Sequence, residues 1–177
     1  MEWICENWRF PDAGIWEMCN RLEQFVYSKV MNWVALDRGI RLADKRALPA
    51  DRVKWMRERD KIYAEVMRKG WNEKRHAFTQ FYGSEDLDAS LLNYATGFFM
   101  APTDPRMLGT MSAILKNPRV GGLLRDSLVY RYPRQPRIDG LPGEEGTFNM
   151  CYFWLVEALT PHRPGGCRKS GSRQVAV

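Results

Sequence analysis

Apolar and polar positions fall into blocks along the chain, and most blocks have a helical period. From Phe25 to Asp44 the stretch FVYSKVMNWVALDRGIRLAD carries apolar residues on nearly every face, the pattern of a buried helix. The next block, LPADRVKWMRERDKIYAEVMRKGW, spaces Val53, Met56, Tyr63, Val66 and Met67 between arginines and glutamates. That is an amphipathic helix with one wet face. Asp51 is placed to cap its start and Gly70 to stop it in the left-handed conformation. LDASLLNYATGFFM, with Leu91, Leu92, Ala95, Phe98 and Phe99, reads as a second buried helix. Asp104 and Pro105, a cap followed by proline at the first helical position, open RMLGTMSAILKN. Its stripe is Met107, Leu108, Met111, Ile114 and Leu115. After a turn-rich stretch, Thr147 is placed to cap FNMCYFWLVEAL, again apolar on most sides.

Buried and amphipathic helices therefore alternate, as in a toroid of helical hairpins with an inner and an outer ring. Apart from SLVYRY, alternating strand patterns are nearly absent, so the expected class is all-α. Long polar loops precede Phe25, join Trp71 to Leu87, and precede Thr147. Loops of that kind on a rigid scaffold are where sites usually lie. Residues 161–177 have no apolar stripe and are rich in Gly, Ser, Arg and Pro. They read as a disordered basic tail after a helical domain spanning residues 1–160. The last helix then lacks the amphipathic partner that the alternation predicts, so the chain is expected to be cut short there.

Composition narrows the picture modestly. Apolar residues make up 45% and charged residues 27%, a globular balance. No run reaches the roughly 18 apolar residues of a membrane span. The opening MEWICENWRF lacks the features of a signal peptide, which points to the cytoplasm. Cys5, Cys19, Cys151 and Cys167 are scattered, without a CxxC pair or a histidine at ligand spacing, so neither metal nor cofactor is expected. Cys151 reads as a small core residue. His76 and His162 lie in polar surroundings and are weak candidates for catalysis. The formal charge is +6, but the tail holds Arg163, Arg168, Lys169 and Arg173 and no acid. The body is near +2 without a basic stripe, so nucleic-acid binding is not expected.

The candidate chemistry begins at GIWEMCN, residues 14–20. A carboxylate at Glu17 held against the Trp16 ring would lose hydration and stay protonated near neutral pH, as a general acid must. Trp16 also offers a face for a sugar ring. The competing reading has Trp16 in the core and Glu17 solvated or capping. In GLPGEEGTF, Glu144 or Glu145 either favours the start of the last helix, or one of them binds sugar hydroxyls or acts as a second catalytic carboxylate. Arg131, between Tyr130 and Tyr132, is either a surface arginine or a planar donor to hydroxyls or a carboxylate. Lys29 and Trp33 lie four residues apart on one helix face. A lysine in so apolar a helix needs a partner or a wet cavity, or else snorkels. Asp88 reads locally as a cap for ASLL.

Taken in order, six blocks resemble family 15 glycoside hydrolases, the bacterial glucoamylase and trehalase group. They are PDAGIWEM, FVYSKVMNWVALDRGIRLA, FTQFYGSEDLDASLL, DPRMLGTMSAI, LVYRYP and DGLPGEEGTFNMCYFWLVEAL. The resemblance implies an (α/α)6 barrel and hydrolysis of α-linked glucosides, trehalose, maltose or malto-oligosaccharides, with inversion. It implies Glu17 as the general acid and Arg131 as a contact to the sugar. The candidate substrate-binding set is Asp12, Trp16, Lys29, Trp33, Asp88, Arg131 and Glu145. The family's general base belongs to a SEEYD-like motif that this chain lacks, and its β-sandwich domain and first barrel helices are also absent. A central fragment of such an enzyme, inactive alone, is therefore expected. Cys19 stands where the family usually has arginine, and Gln24 where it often has histidine. The alternative is a non-catalytic helical module that self-associates through its inner helices.

Overall fold

The computed structural model describes residues 1–18, 22–133 and 146–160. The glutamates of GLPGEEGTF, Cys19 and the tail expected to be disordered lie outside them. A helical hairpin dominates the fold: α2 (Val26–Arg46) and α3 (Arg52–Lys69) pack along each other. Ala47 ends α2 in the left-handed conformation, at φ 50°, with its N–H bonded to Ala43 and Asp44 carbonyls. Arg52 donates to Asp44 and to the carbonyls of Ala43 and Leu48, closing the connection. Asp51 caps α3 as expected, accepting from the Lys54 amide at 3.0 Å.

Gly70 does not adopt the left-handed conformation; its φ is −82°. Glycine is required there by packing instead. A Cβ would sit 2.8 Å from the Val66 carbonyl oxygen and 2.9 Å from Val26 Cγ1.

A short helix that the hydrophobic pattern did not reveal, α1 (Glu2–Asn7), lies across α3. The strand pair β1 (Trp71–Asn72) and β2 (Ala77–Phe78) joins Trp71 to Phe78 and Asn72 to Ala77 in antiparallel register. The Phe78 amide then donates 3.0 Å to Thr110 on α5 (Pro105–Ile114). Asp104 caps α5 with Pro105 in its first turn, as expected.

The helix expected over residues 87–100 is broken into a 3-10 turn, Ala89–Leu92, and a single turn of helix, α4 (Asn93–Thr96). Phe98 turns left-handed at φ 58°. The amides of Phe99 and Met100 then fold back onto the Tyr94 carbonyl, the closure of a helix C-terminus with phenylalanine in the usual glycine place. SLVYRY contributes half of a tight hairpin, β3 (Leu124–Arg125) and β4 (Leu128–Val129), whose turn residues Asp126 and Ser127 both have positive φ. The last helix, α6 (Asn149–Leu159), starts after Phe148 with no side-chain cap, so Thr147 does not play that part.

The core runs through Val26, Val30, Leu36, Ile62, Val66, Phe78, Leu91, Leu92, Tyr94, Met107, Ile114, Leu123 and Cys151, all essentially inaccessible. The expected all-round burial of α2 and α6 is only half met. Met31 and Leu42 on α2 are exposed. On α6, Cys151, Leu155 and Ala158 face the core while Phe153 is 68% exposed. Among the described residues no helix is long and apolar enough to cross a membrane.

Candidate active site

The loop between α1 and α2 carries the first candidate residues, and its anchors explain its shape. Lys29 on α2 is 1% exposed. Its ammonium donates to the carbonyls of Trp8, at 2.6 Å, and Phe10, at 2.7 Å. Burial pulls the Lys29 ammonium below its usual range, with Asp12 and Glu65 opposing that shift. The lysine therefore has the partner its apolar setting requires, but the partner is backbone rather than a ligand. Its expected companion Trp33 turns to a different neighbourhood, packing edge-on against Phe99 at 5.2 Å and near Tyr63.

Asp12 holds the next turn. Its backbone pairs with Glu23, and Oδ1 accepts from the Gly14 amide and the Ser28 hydroxyl, both at 2.7 Å. Gly14 has φ +70° and lies so close to the Phe25 ring that a Cβ would meet it at 2.9 Å. A cleft of about 500 Å³ runs between α1, this loop and α2, with Asp12, Ile15, Tyr27 and Ser28 in its walls.

Beyond Gly14 the chain presents Trp16 and Glu17 in opposite settings. Trp16 is partly buried, and its ring lies about 6 Å from those of Tyr132, Phe148 and Trp154. Its indole Nε1 donates to both oxygens of Asp88, at 3.0 and 2.9 Å. Glu17 is exposed, and its backbone is left-handed at φ 51°. A non-glycine residue in that region carries a conformational cost of about 1–2 kcal/mol. The structure therefore gives Glu17 an open position instead of a dry one against the indole.

Asp88 caps the 3-10 turn at Ala89–Leu92, as its local sequence suggests, with Oδ1 accepting from the Ser90 amide at 2.8 Å. It also accepts from Gln80 Nε2 at 3.0 Å. At 2% exposure it offers no surface to a sugar, so direct contact gives way to a holding role. Burial pushes the Asp88 carboxyl above the usual carboxylate range, opposed by hydrogen bonds from Ser90, Gln80 and Trp16.

Arg131 follows β4 and closes the group. Its guanidinium carbon lies 5.4 Å from the Trp16 ring centre, 5.2 Å from that of Tyr132 and 5.9 Å from that of Phe148. The Arg131 carbonyl accepts from the Ala89 amide at 2.8 Å.

The structure thus gathers Trp16, Asp88 and Arg131, with Glu17 beside Trp16 in the chain. It sets Lys29 and Trp33 to internal packing, and Glu145 lies outside the described residues. Gln80, Tyr132, Phe148 and Trp154 complete the group and were not singled out from the sequence. Only their aromatic or amide character within the matched blocks marked them. Among the described residues no cluster of His, Cys, Asp and Glu is arranged to hold a metal ion.

An exposed acidic residue, a tryptophan held at its edge and a guanidinium thus come together on a scaffold of helical hairpins. The model of the glycosyl hydrolases family 15 matches residues 1–163, and the chain belongs to that family. It is 45% identical over 159 residues to a trehalase of Mycobacterium tuberculosis, an alignment covering 90% of this chain and 22% of the relative. It is 40% identical over 152 residues to a trehalase of Thermoplasma acidophilum, covering 86% of this chain and 25% of the relative. The chain thus spans about a quarter or less of the length of these relatives. A solved structure named Glycosidase Wild Type superposes with a TM-score of 0.73 at 19% identity, covering 89% of this chain and 39% of that one. The fold is accordingly all-α, of the (α/α)6 six-hairpin kind.

Proposed function

We propose that this chain carries the proton-donating side of a site that hydrolyses α-glucosides with inversion, with Glu17 as the general acid and trehalose as the preferred substrate. The observation that carries the reading is the setting of Glu17. It is an exposed side chain on a left-handed residue, next to a tryptophan locked at its edge by Asp88 and faced by Arg131, and open to a substrate that would exclude water from it on binding. In this reaction the acid protonates the glycosidic oxygen as the bond to the anomeric carbon breaks. A second carboxylate activates water on the opposite face of the sugar. Trp16 supplies an apolar surface for the ring, and Arg131 donates hydrogen bonds to its hydroxyls. Trehalose is favoured because the similar proteins named above are trehalases.

The water-activating base falls outside this chain on the proposed reading, so the chain alone turns over trehalose or maltose negligibly. A chimera tests the assignment. Residues 8–160 replace the matching segment of the Mycobacterium tuberculosis trehalase, and trehalose turnover is measured. Glu17→Gln in that chimera lowers kcat by about 10²- to 10⁴-fold, the usual contribution of a general acid. An unchanged kcat refutes the role of Glu17.

A second reading, self-association, is favoured by the apolar residues left open on α6, Phe153, Val156 and Leu159. Sedimentation at increasing concentration tests it. A constant monomer mass rules it out.

A further inference from the structure

We propose that Asp88 is a positioning residue: buried beneath the site, it sets both Trp16 and Arg131 for sugar binding without touching the sugar. The proposal rests on the reading of Trp16 and Arg131 as sugar contacts.

The hydrogen bonds onto Asp88 all run one way. The Trp16 indole, the Gln80 side-chain amide and the Ser90 backbone amide each donate to it. Each of these groups is an N–H and none is an acceptor, which suits a carboxylate with both oxygens accepting. Such charge-assisted bonds are stronger and more directional than neutral ones. Trp16 and Asp88 are 72 residues apart, so this bond fixes the catalytic loop to the 3-10 turn across the fold. Gln80 steadies the acid from the other side. It is itself 3% exposed, its backbone N–H donates to the Asp86 carbonyl, and its backbone carbonyl accepts from the Val26 amide at the start of α2.

The neighbouring residue completes the device. Ala89 N–H donates 2.8 Å to the Arg131 carbonyl, so adjacent residues hold Trp16 by its side chain and Arg131 by its backbone. The guanidinium then lies over the indole, 5.4 Å from its centre. A carboxylate at the indole N–H draws the proton and enriches the ring face, and a cation is attracted to that face. Asp88 therefore acts on Arg131 twice: through the backbone of the next residue and through the ring between them.

The test uses the full chain labelled with ¹⁵N, with trehalose as the probe ligand. The Trp16 indole resonance is identified by its loss in Trp16→Phe, and the Arg131 Nε resonance by its loss in Arg131→Lys. In the wild type, the indole proton lies downfield and the Arg131 Nε signal carries a ring-current shift. Asp88→Asn moves both resonances and weakens trehalose binding by roughly tenfold, the scale of one charge-assisted hydrogen bond. Trp16→Phe keeps a ring but removes the N–H; it also moves the Arg131 signal and weakens binding. Because the acid acts through the indole, the double variant binds no worse than the weaker single one.

A generally structural aspartate predicts losses that multiply, and that result overturns the proposal. So does an Asp88→Asn chain in which both resonances stay in place. Should Asp88→Asn fail to fold, Trp16→Phe decides, because it leaves the acid its other donors; an unmoved Arg131 signal then overturns the proposal. A wild-type chain that binds no trehalose, with both resonances responding to Asp88→Asn, overturns it through the sugar-site reading instead.

Discussion

Acidification strips charge from one buried carboxylate, Glu58, and the consequence reaches the candidate site. Glu58 lies on α3 and is 5% exposed. It accepts from the Trp8 indole at 3.2 Å, from Arg9 at 2.9 Å and from Lys61 at 2.8 Å. Burial alone would raise its pKa. Hydrogen bonds from Lys61, Trp8 and Arg9, together with the Arg9 charge, override that effect and hold it at about 2. Trp8 is also the residue whose carbonyl Lys29 grips, so Glu58 and Lys29 pin the start of the Glu17 loop from two helices.

A carboxylate depressed from an ordinary value near 4.5 to about 2 contributes about 3 kcal/mol to stability at neutral pH, at about 1.4 kcal/mol per unit. Arg9 and Lys61 are half exposed, and solvent screening reduces that to about 1–2 kcal/mol. The contribution is present in full above the unfolded-state pKa and is lost as pH falls through the folded-state value. Urea unfolding followed by circular dichroism between about pH 6 and pH 2 reads it directly. The wild type loses stability from about pH 4.5 downward. Glu58→Gln starts lower and shows a shallower acid slope by the same amount. Equal slopes in wild type and variant would refute the argument, since the titration would then belong to other carboxylates.

The remaining predictions concern the site and its scaffold. Glu17→Gly relieves the left-handed backbone at φ 51° and stabilises the chain by about 1 kcal/mol in thermal unfolding, while the same change in the chimera removes the proposed proton donor and its turnover. An unaltered or lowered melting temperature contradicts the strain argument. Lys29→Met leaves the Trp8 and Phe10 carbonyls without their donor and lowers stability by about 3 kcal/mol, measured as the urea midpoint. Gly122→Ala drives a Cβ into the Lys116 backbone carbonyl and destabilises by about 3 kcal/mol in the same assay, because backbone must move to make room.

The helical period made α2, α3 and α5 legible, and the caps at Asp51 and Asp104 were readable because they act within three residues. What escaped depended on partners distant in sequence. The brevity of α1 hid it, since six residues cannot display a period, and its position comes from Glu2, Trp8 and Arg9 bonding α3. The break after Thr96 was invisible because Phe98, exposed and stacked under Arg38 at 4.8 Å, takes a conformation normally left to glycine. α2 and α6 looked buried because composition records apolar residues, not whether a neighbour covers them.

The site divides along the same line. Lys29 was a candidate because a lysine in an apolar helix demands a partner, while Asp88, locally a cap for ASLL, entered the candidate set with the family resemblance. Physical chemistry does not say whether the partner is a sugar or the protein itself, and here it is the protein in both cases. A buried carboxylate with its oxygens occupied by three donor groups, and a buried ammonium with two carbonyls, have little capacity left for a ligand. On the proposed reading, their contribution to sugar binding passes through what they hold. For Lys29 that is the start of the loop, and for Asp88 it is the indole and the guanidinium above it. On the proposed reading the group left to meet a sugar is foremost Glu17, which the fold exposes at some conformational cost. Glu17 is exposed on a left-handed residue, so on the proposed reading Glu17→Gly separates the two quantities, gaining stability while the chimera loses turnover.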